Sequence, residues 1–97
     1  MAVIELLRIQ CRPGRRSEFL SRDAEVWTPA LQRHAGFIAK EVWSSLEDPD
    51  LVTIVVRWAS LSEWKSFPIQ LCCELDDRMV DVEASVRCEA YEAQDGD

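Results

Sequence analysis

Two segments of this chain, residues 3–11 and 51–59, are rich in β-favouring side chains and apolar at both odd and even positions. The first reads Val-Ile-Glu-Leu-Leu-Arg-Ile-Gln-Cys and the second Leu-Val-Thr-Ile-Val-Val-Arg-Trp-Ala. A strand with that pattern has no solvent face, so any sheet built on these two needs cover on both sides. The remaining chain offers helices for one side only. Pro13-Gly14 turns the chain after the first strand. A helical pattern follows, with Leu20, Ala24, Trp27 and Leu31 as its stripe and Phe19, Val26 and Ala30 widening it. Pro29 is expected to kink or divide that helix, and Gly36 to stop it.

Phe37–Ser44 alternates as a further strand, and the polar turn Glu47-Asp48-Pro49-Asp50 joins it to residues 51–59 as an antiparallel hairpin. Ser60-Leu-Ser-Glu63 has the form of a capping box and opens a second helix, with Leu61, Trp64, Leu71 and Leu75 facing inward. Pro68 should break this helix near Phe67 and leave a second segment to about residue 80. Residues 82–93 then alternate loosely as a fourth strand. The order strand, helix, strand, strand, helix, strand predicts an α+β, ferredoxin-like β-α-β-β-α-β domain over residues 1–93, followed by an acidic tail at 94–97. Its antiparallel sheet should have the order 4-1-3-2. The halves echo each other faintly, in Leu6-Leu7-Arg8-Ile9 and Val55-Val56-Arg57-Trp58. Since helices cover one sheet face, the economical cover for the other is a second copy of the chain, giving a homodimer.

Composition narrows the function. With 47% hydrophobic and 30% charged residues the chain is globular, and no run approaches the ~18 apolar residues of a membrane span. The opening Met-Ala-Val-Ile-Glu lacks the pattern of a secretory signal, which predicts a cytoplasmic location. A net charge of −7 argues against nucleic-acid and membrane partners. Arg12, Arg15 and Arg16 form the one basic group and read as a solvated turn. Cys11, Cys72, Cys73 and Cys88 show no Cys-x-x-Cys spacing and are expected to be free thiols; with a single histidine, no metal site is expected.

Taken together, the strand-Pro-Gly-helix opening, Gly36-Phe37 leading into the second strand, the Glu-Asp-Pro-Asp turn and the run from Trp58 to Trp64 resemble the antibiotic-biosynthesis monooxygenase (ABM) domain. Ile-Glu-Leu-Leu-Arg, Glu-Val-Trp-Thr-Pro-Ala-Leu and Lys-Glu-Val-Trp are similar to a small cyanobacterial group in that superfamily. The resemblance implies a dimeric α/β barrel, two sheets packed face to face with a ligand pocket in each subunit between sheet and helices. It also implies two activities to weigh. The haem-degrading branch places an asparagine, a tryptophan and a haem-ligating histidine where this chain has Leu7, Phe67 and Asp77, so haem degradation is not expected and no cofactor is assigned. Cofactor-independent oxygenation of phenolic molecules needs only a base and an enclosing pocket.

Glu5 is the candidate base. It lies mid-strand on the face of Val3, Leu7 and Ile9, and if that face looks toward the helices its carboxylate is desolvated and suited to proton transfer. The alternative is a structural pairing of Glu5 with Lys40 or Arg57. Glu41 and Arg57 are expected to form a cross-strand ion pair, and His34 to cap the first helix. Four tryptophans either fill a thin core or line an aromatic pocket. Leu7, Trp27, Trp64 and Phe67 are the ligand-binding candidates. The functional expectation is a homodimeric protein that binds a small apolar or aromatic molecule and oxygenates it without a cofactor; the alternative is a non-catalytic binding or stress-response module.

Overall fold

A computed structural model describes residues 1–94, so the tail expected at 94–97 falls, apart from Gln94, outside the described residues. The elements are β1 (Val3–Cys11), α1 (Arg16–Gln32), β2 (Phe37–Ser44), β3 (Leu51–Trp58), α2 (Leu61–Lys65), α3 (Ile69–Asp77) and β4 (Glu83–Glu92). The four strands form one antiparallel sheet in the order β2-β3-β1-β4, the ferredoxin-like arrangement expected. The break at Pro68 is present as the gap between α2 and α3.

The register assigns each face. Val3, Glu5, Leu7, Ile9 and Cys11 of β1 lie beside Val52, Ile54, Val56 and Trp58 of β3, and the helices cover this side. All four of those β3 residues are buried. Phe19, Val26 and Leu31 of α1, Leu75 of α3, and Met79 and Val82 beyond it close the core. The other face carries Ile4, Leu6, Leu51, Thr53 and Val55 at half-burial, flanked by exposed Trp43 and Tyr91. Among the described residues, no helix is long and apolar enough to cross a membrane.

Helix α1 differs from expectation in two ways. It runs unbroken through Pro29, because the carbonyl that proline leaves without a donor belongs to Glu25, an exposed residue one turn earlier. Its buried stripe is also turned by one residue. Ala24 is exposed, and the inward positions are Phe19, Asp23 and Val26, at spacings of four and three.

Two glycines have identifiable reasons. Gly14 adopts φ +75° in the turn after β1, and its N–H donates to Asp50 Oδ1 at 3.0 Å. Arg16, expected in solvent, instead reaches the β2–β3 turn, where Nη1 donates to the Ser45 and Asp48 carbonyls at 2.9 Å each. Ser60 caps α2 as expected, accepting from the Glu63 amide at 3.2 Å. The Glu63 side chain does not complete the box; it packs over Gly36, where an added Cβ would lie 2.2 Å from Glu63 Cβ and 2.7 Å from its Cγ. Those are atoms next to a helix backbone and cannot swing aside. Gly36→Ala should therefore cost about 1–3 kcal/mol, read as a Tm lowered by about 4 °C or more in thermal unfolding; an unchanged Tm would show that α2 sits elsewhere.

Candidate active site

A cavity of about 580 Å³ lies between the sheet and helices α1 and α3. Leu7 and Ile9 of β1 with Ile54 and Val56 of β3 form its floor, and Phe19, Trp27 and Leu31 of α1 form one wall. Cys72 and Asp76 of α3 face them, and Met79, Val80, Glu83 and Val86 close the far end. The volume is in the range of sites for small organic ligands.

Glu5 stands on the floor. Trp58 Nε1 donates to its Oε1 at 3.1 Å. Burial raises the pKa of Glu5 above the usual carboxylate range; the Trp58 N–H and the charge of Lys65 hold it back. A carboxylate raised in this way is a stronger proton acceptor than a solvated one. Neither expected cation pairs with it. Arg57 is on the opposite sheet face, and Lys40 is engaged by another carboxylate.

That carboxylate is Asp23. Lys40 Nζ donates to Asp23 Oδ2 at 2.6 Å and to Thr28 Oγ1 at 2.8 Å, and both charged side chains are about 95% buried, with 6% and 5% of their surface exposed. Both line the cavity. The sequence reading missed this pair because an aspartate was not admitted to a helix stripe. Its signal was the spacing of Asp23, four residues after Phe19 and three before Val26.

The remaining candidates separate. Leu7 and Trp27 line the cavity. Phe67 is not among its lining residues; it stacks against Trp27 with centroids 6.1 Å apart and also meets Trp58 and His34. Phe67 thus packs among these aromatics beside the break at Pro68. Trp64 also stays off the cavity wall, half-buried, with Lys65 Nζ 4.3 Å from its ring centroid. Glu41 and Arg57 share the open face but form no ion pair among the described residues. Arg57 is opposite Ala39, one diagonal step away, and Glu41 accepts instead from Trp43 Nε1 at 3.1 Å. His34 lies just beyond the end of α1, where its backbone N–H donates to the Leu31 carbonyl at 3.0 Å, but its imidazole is engaged elsewhere. Its Nε2 donates to the Glu63 carbonyl at 2.9 Å and lies 3.0 Å from Ser66 Oγ, tying α1 to α2. All four cysteines are free, and burial pushes the Cys11 and Cys72 thiols up to about 11. No group of three or more metal-ligating side chains occurs among the described residues.

At the far end of the cavity Glu83 is raised from 4.5 to about 7, by burial first and then by the charges of Asp76 and Asp23. The folded protein therefore holds this proton more tightly than the unfolded chain. The stabilisation is complete below pH 4.5 and is lost as pH rises through 7. Glu83→Gln should match wild type at pH 4 and exceed it at pH 8 by about 1 kcal/mol after solvent screening, measured by urea unfolding at the two pH values. In the same assay Lys40→Met should destabilise by about 3 kcal/mol or more, because it leaves Asp23 buried without its cation; Lys40→Met combined with Asp23→Leu should recover most of that loss.

No curated protein matches the chain. Solved structures resemble it closely in fold. SnoaB of Streptomyces nogalater, a cofactor-independent oxygenase, superposes with a TM-score of 0.83 at 12% identity, covering 98% of this chain and 95% of that one. A protein of Shewanella oneidensis gives 0.77 at 18% identity, with 93% and 88% covered. A conserved protein of Methanosarcina mazei gives 0.79 at 18%, with 97% and 94% covered. Identities this low bear on the fold alone. The family described as antibiotic biosynthesis monooxygenase matches residues 2–67, from β1 through the end of α2. By its strand order, its sheet-and-helix cavity and this match, the chain belongs to the antibiotic biosynthesis monooxygenase family.

Proposed function

We propose that the protein works as a homodimer whose cavity binds a small, largely apolar aromatic molecule, and that it oxygenates a phenolic member of that class without a cofactor, with Glu5 as the base. The observation that carries this reading is a desolvated carboxyl on the floor of a mainly apolar cavity, held in place by a buried indole N–H. Glu5 takes the phenol proton. The electron-rich phenolate ring then reduces O2 and forms a carbon–oxygen bond to it, and the proton held by Glu5 moves to the peroxide. Loss of the proton on that carbon breaks the O–O bond and releases water, leaving a quinone. One oxygen atom enters the product and the other becomes water, so the substrate supplies all four electrons.

Dimerisation is supported by the open sheet face, where Ile4, Leu6 and Val55 occupy the centre and Trp43 and Tyr91 remain exposed. A second copy seated there buries apolar surface that a monomer leaves in water. The four free thiols suit the reducing cytoplasm. Residues 4–8, 25–31 and 40–43 support an assignment beside the small cyanobacterial group within the family.

Light scattering should give a mass near twice 11.1 kDa, and a monomer at micromolar concentration would falsify the dimer. Simple naphthols should raise the Tm, in line with a gain of about 2.7 kcal/mol at a hundredfold excess over Kd. An oxygen electrode should record uptake with an oxidisable naphthol, reduced about 100-fold or more in Glu5→Gln with binding retained. Binding without oxygen uptake overturns the enzymatic half and favours a binding module, and no Tm shift with any aromatic ligand overturns the pocket.

A further inference from the structure

The register of the sheet puts three side chains in one row across the cavity floor. Glu5 of β1 is opposite Val56 of β3, and Val56 is opposite Lys40 of β2. All three line the cavity. Adjacent strands are spaced about 4.8 Å apart, so the backbones carrying Glu5 and Lys40 are separated by about 10 Å, with an apolar Val56 between them.

Lys40 is an unusual residue for that position. An ammonium carries three N–H donors. Two are engaged, by Asp23 and Thr28, and the third meets no acceptor among the described residues. Its side chain is held at 6% exposure, so the ammonium is fixed before any ligand arrives. A purely structural ion pair has no need of a place on a cavity wall.

We propose that Lys40 is a second polar anchor of the ligand site and selects molecules that carry an acceptor oxygen at the end opposite the hydroxyl recognised by Glu5. This rests on reading the cavity as a ligand site. The rest of the cavity decides what kind of oxygen that is. Asp23 already balances the lysine charge, and Asp76, Asp77 and Glu83 line the same space, so a carboxylate or phosphate there meets net repulsion. A neutral carbonyl accepts the free N–H without adding charge. The ligand class is therefore a flat aromatic body lying over Val56, with an acidic hydroxyl at one end and a ketone or aldehyde carbonyl at the other. Lys40 acts as a positioning residue: it orients the ring so that the hydroxyl meets Glu5.

Two probes test this: 6-acetyl-2-naphthol, and 6-isopropyl-2-naphthol, in which a methyl group replaces the carbonyl oxygen. Their Kd values are measured by titration calorimetry on wild type and on Lys40→Met/Asp23→Leu, which removes both buried charges together and so leaves none unpaired. A hydrogen bond to a charged donor contributes about 1.5–3 kcal/mol, so wild type should favour the acetyl compound about tenfold or more. The double variant should bind both equally. Because the readout is a ratio within each protein, a general loss of stability in the variant cancels. Lys40→Arg, which keeps a donor, should retain part of the preference. The proposal is overturned if wild type binds both probes alike, or if the double variant keeps the preference. Failure of both probes to bind wild type instead overturns the reading of the cavity as a ligand site, and Lys40 with it.

Discussion

Strand β3 is the element on which the other parts of this domain are set. Its helix-facing side chains, Val52, Ile54, Val56 and Trp58, are all at 3% exposure or less, and they are paired on one flank by β1 and on the other by β2. Burying that row is the main apolar gain available to a chain of this size. Once it is covered, the positions of Glu5, Lys40 and the aromatic cluster follow from strand register. A shift of one residue would turn every one of these side chains to the opposite face.

The polar groups of the cavity are supported from behind. Trp58 is both a core residue and the donor to Glu5, so the orientation of the carboxylate is tied to the packing of the largest buried side chain. His34 and Phe67 pack edge-on or tilted against that same cluster, and His34 fastens α1 to α2 through the Glu63 carbonyl. Asp23 and Thr28 do the corresponding work for Lys40 from α1. Both charged groups facing each other across Val56 are therefore pre-oriented by buried neighbours, a condition that recognition and proton transfer share.

Much of the site was legible in the chain. Alternation along β1 put Glu5 on one face with Leu7 and Ile9, and all three do line the cavity, as does Trp27 from the α1 stripe. The readings that needed correction depended on partners from other elements. Glu41 and Arg57 have opposite charges on adjacent strands, but the hairpin register sets Val55 opposite Glu41 and Arg57 opposite Ala39. Phe67 was legible as an aromatic beside a helix break, yet whether it packs in the core or lines the cavity depends on Trp27, Trp58 and His34 arriving at the same place. Arg16 looked like a solvated turn residue because its acceptors are carbonyls about thirty residues away.

By itself the sequence determined the element order and the sheet topology. These depend on local periodicity and on the hydrophobic effect, which act on each segment wherever it lies. Only the tertiary structure decided which carboxylate pairs with Lys40, which aromatics reach the cavity, and that Glu5 takes an indole rather than a cation as its partner. Those outcomes turn on distances of a few ångströms between segments far apart in the chain, where a single hydrogen bond changes the partner without changing the pattern.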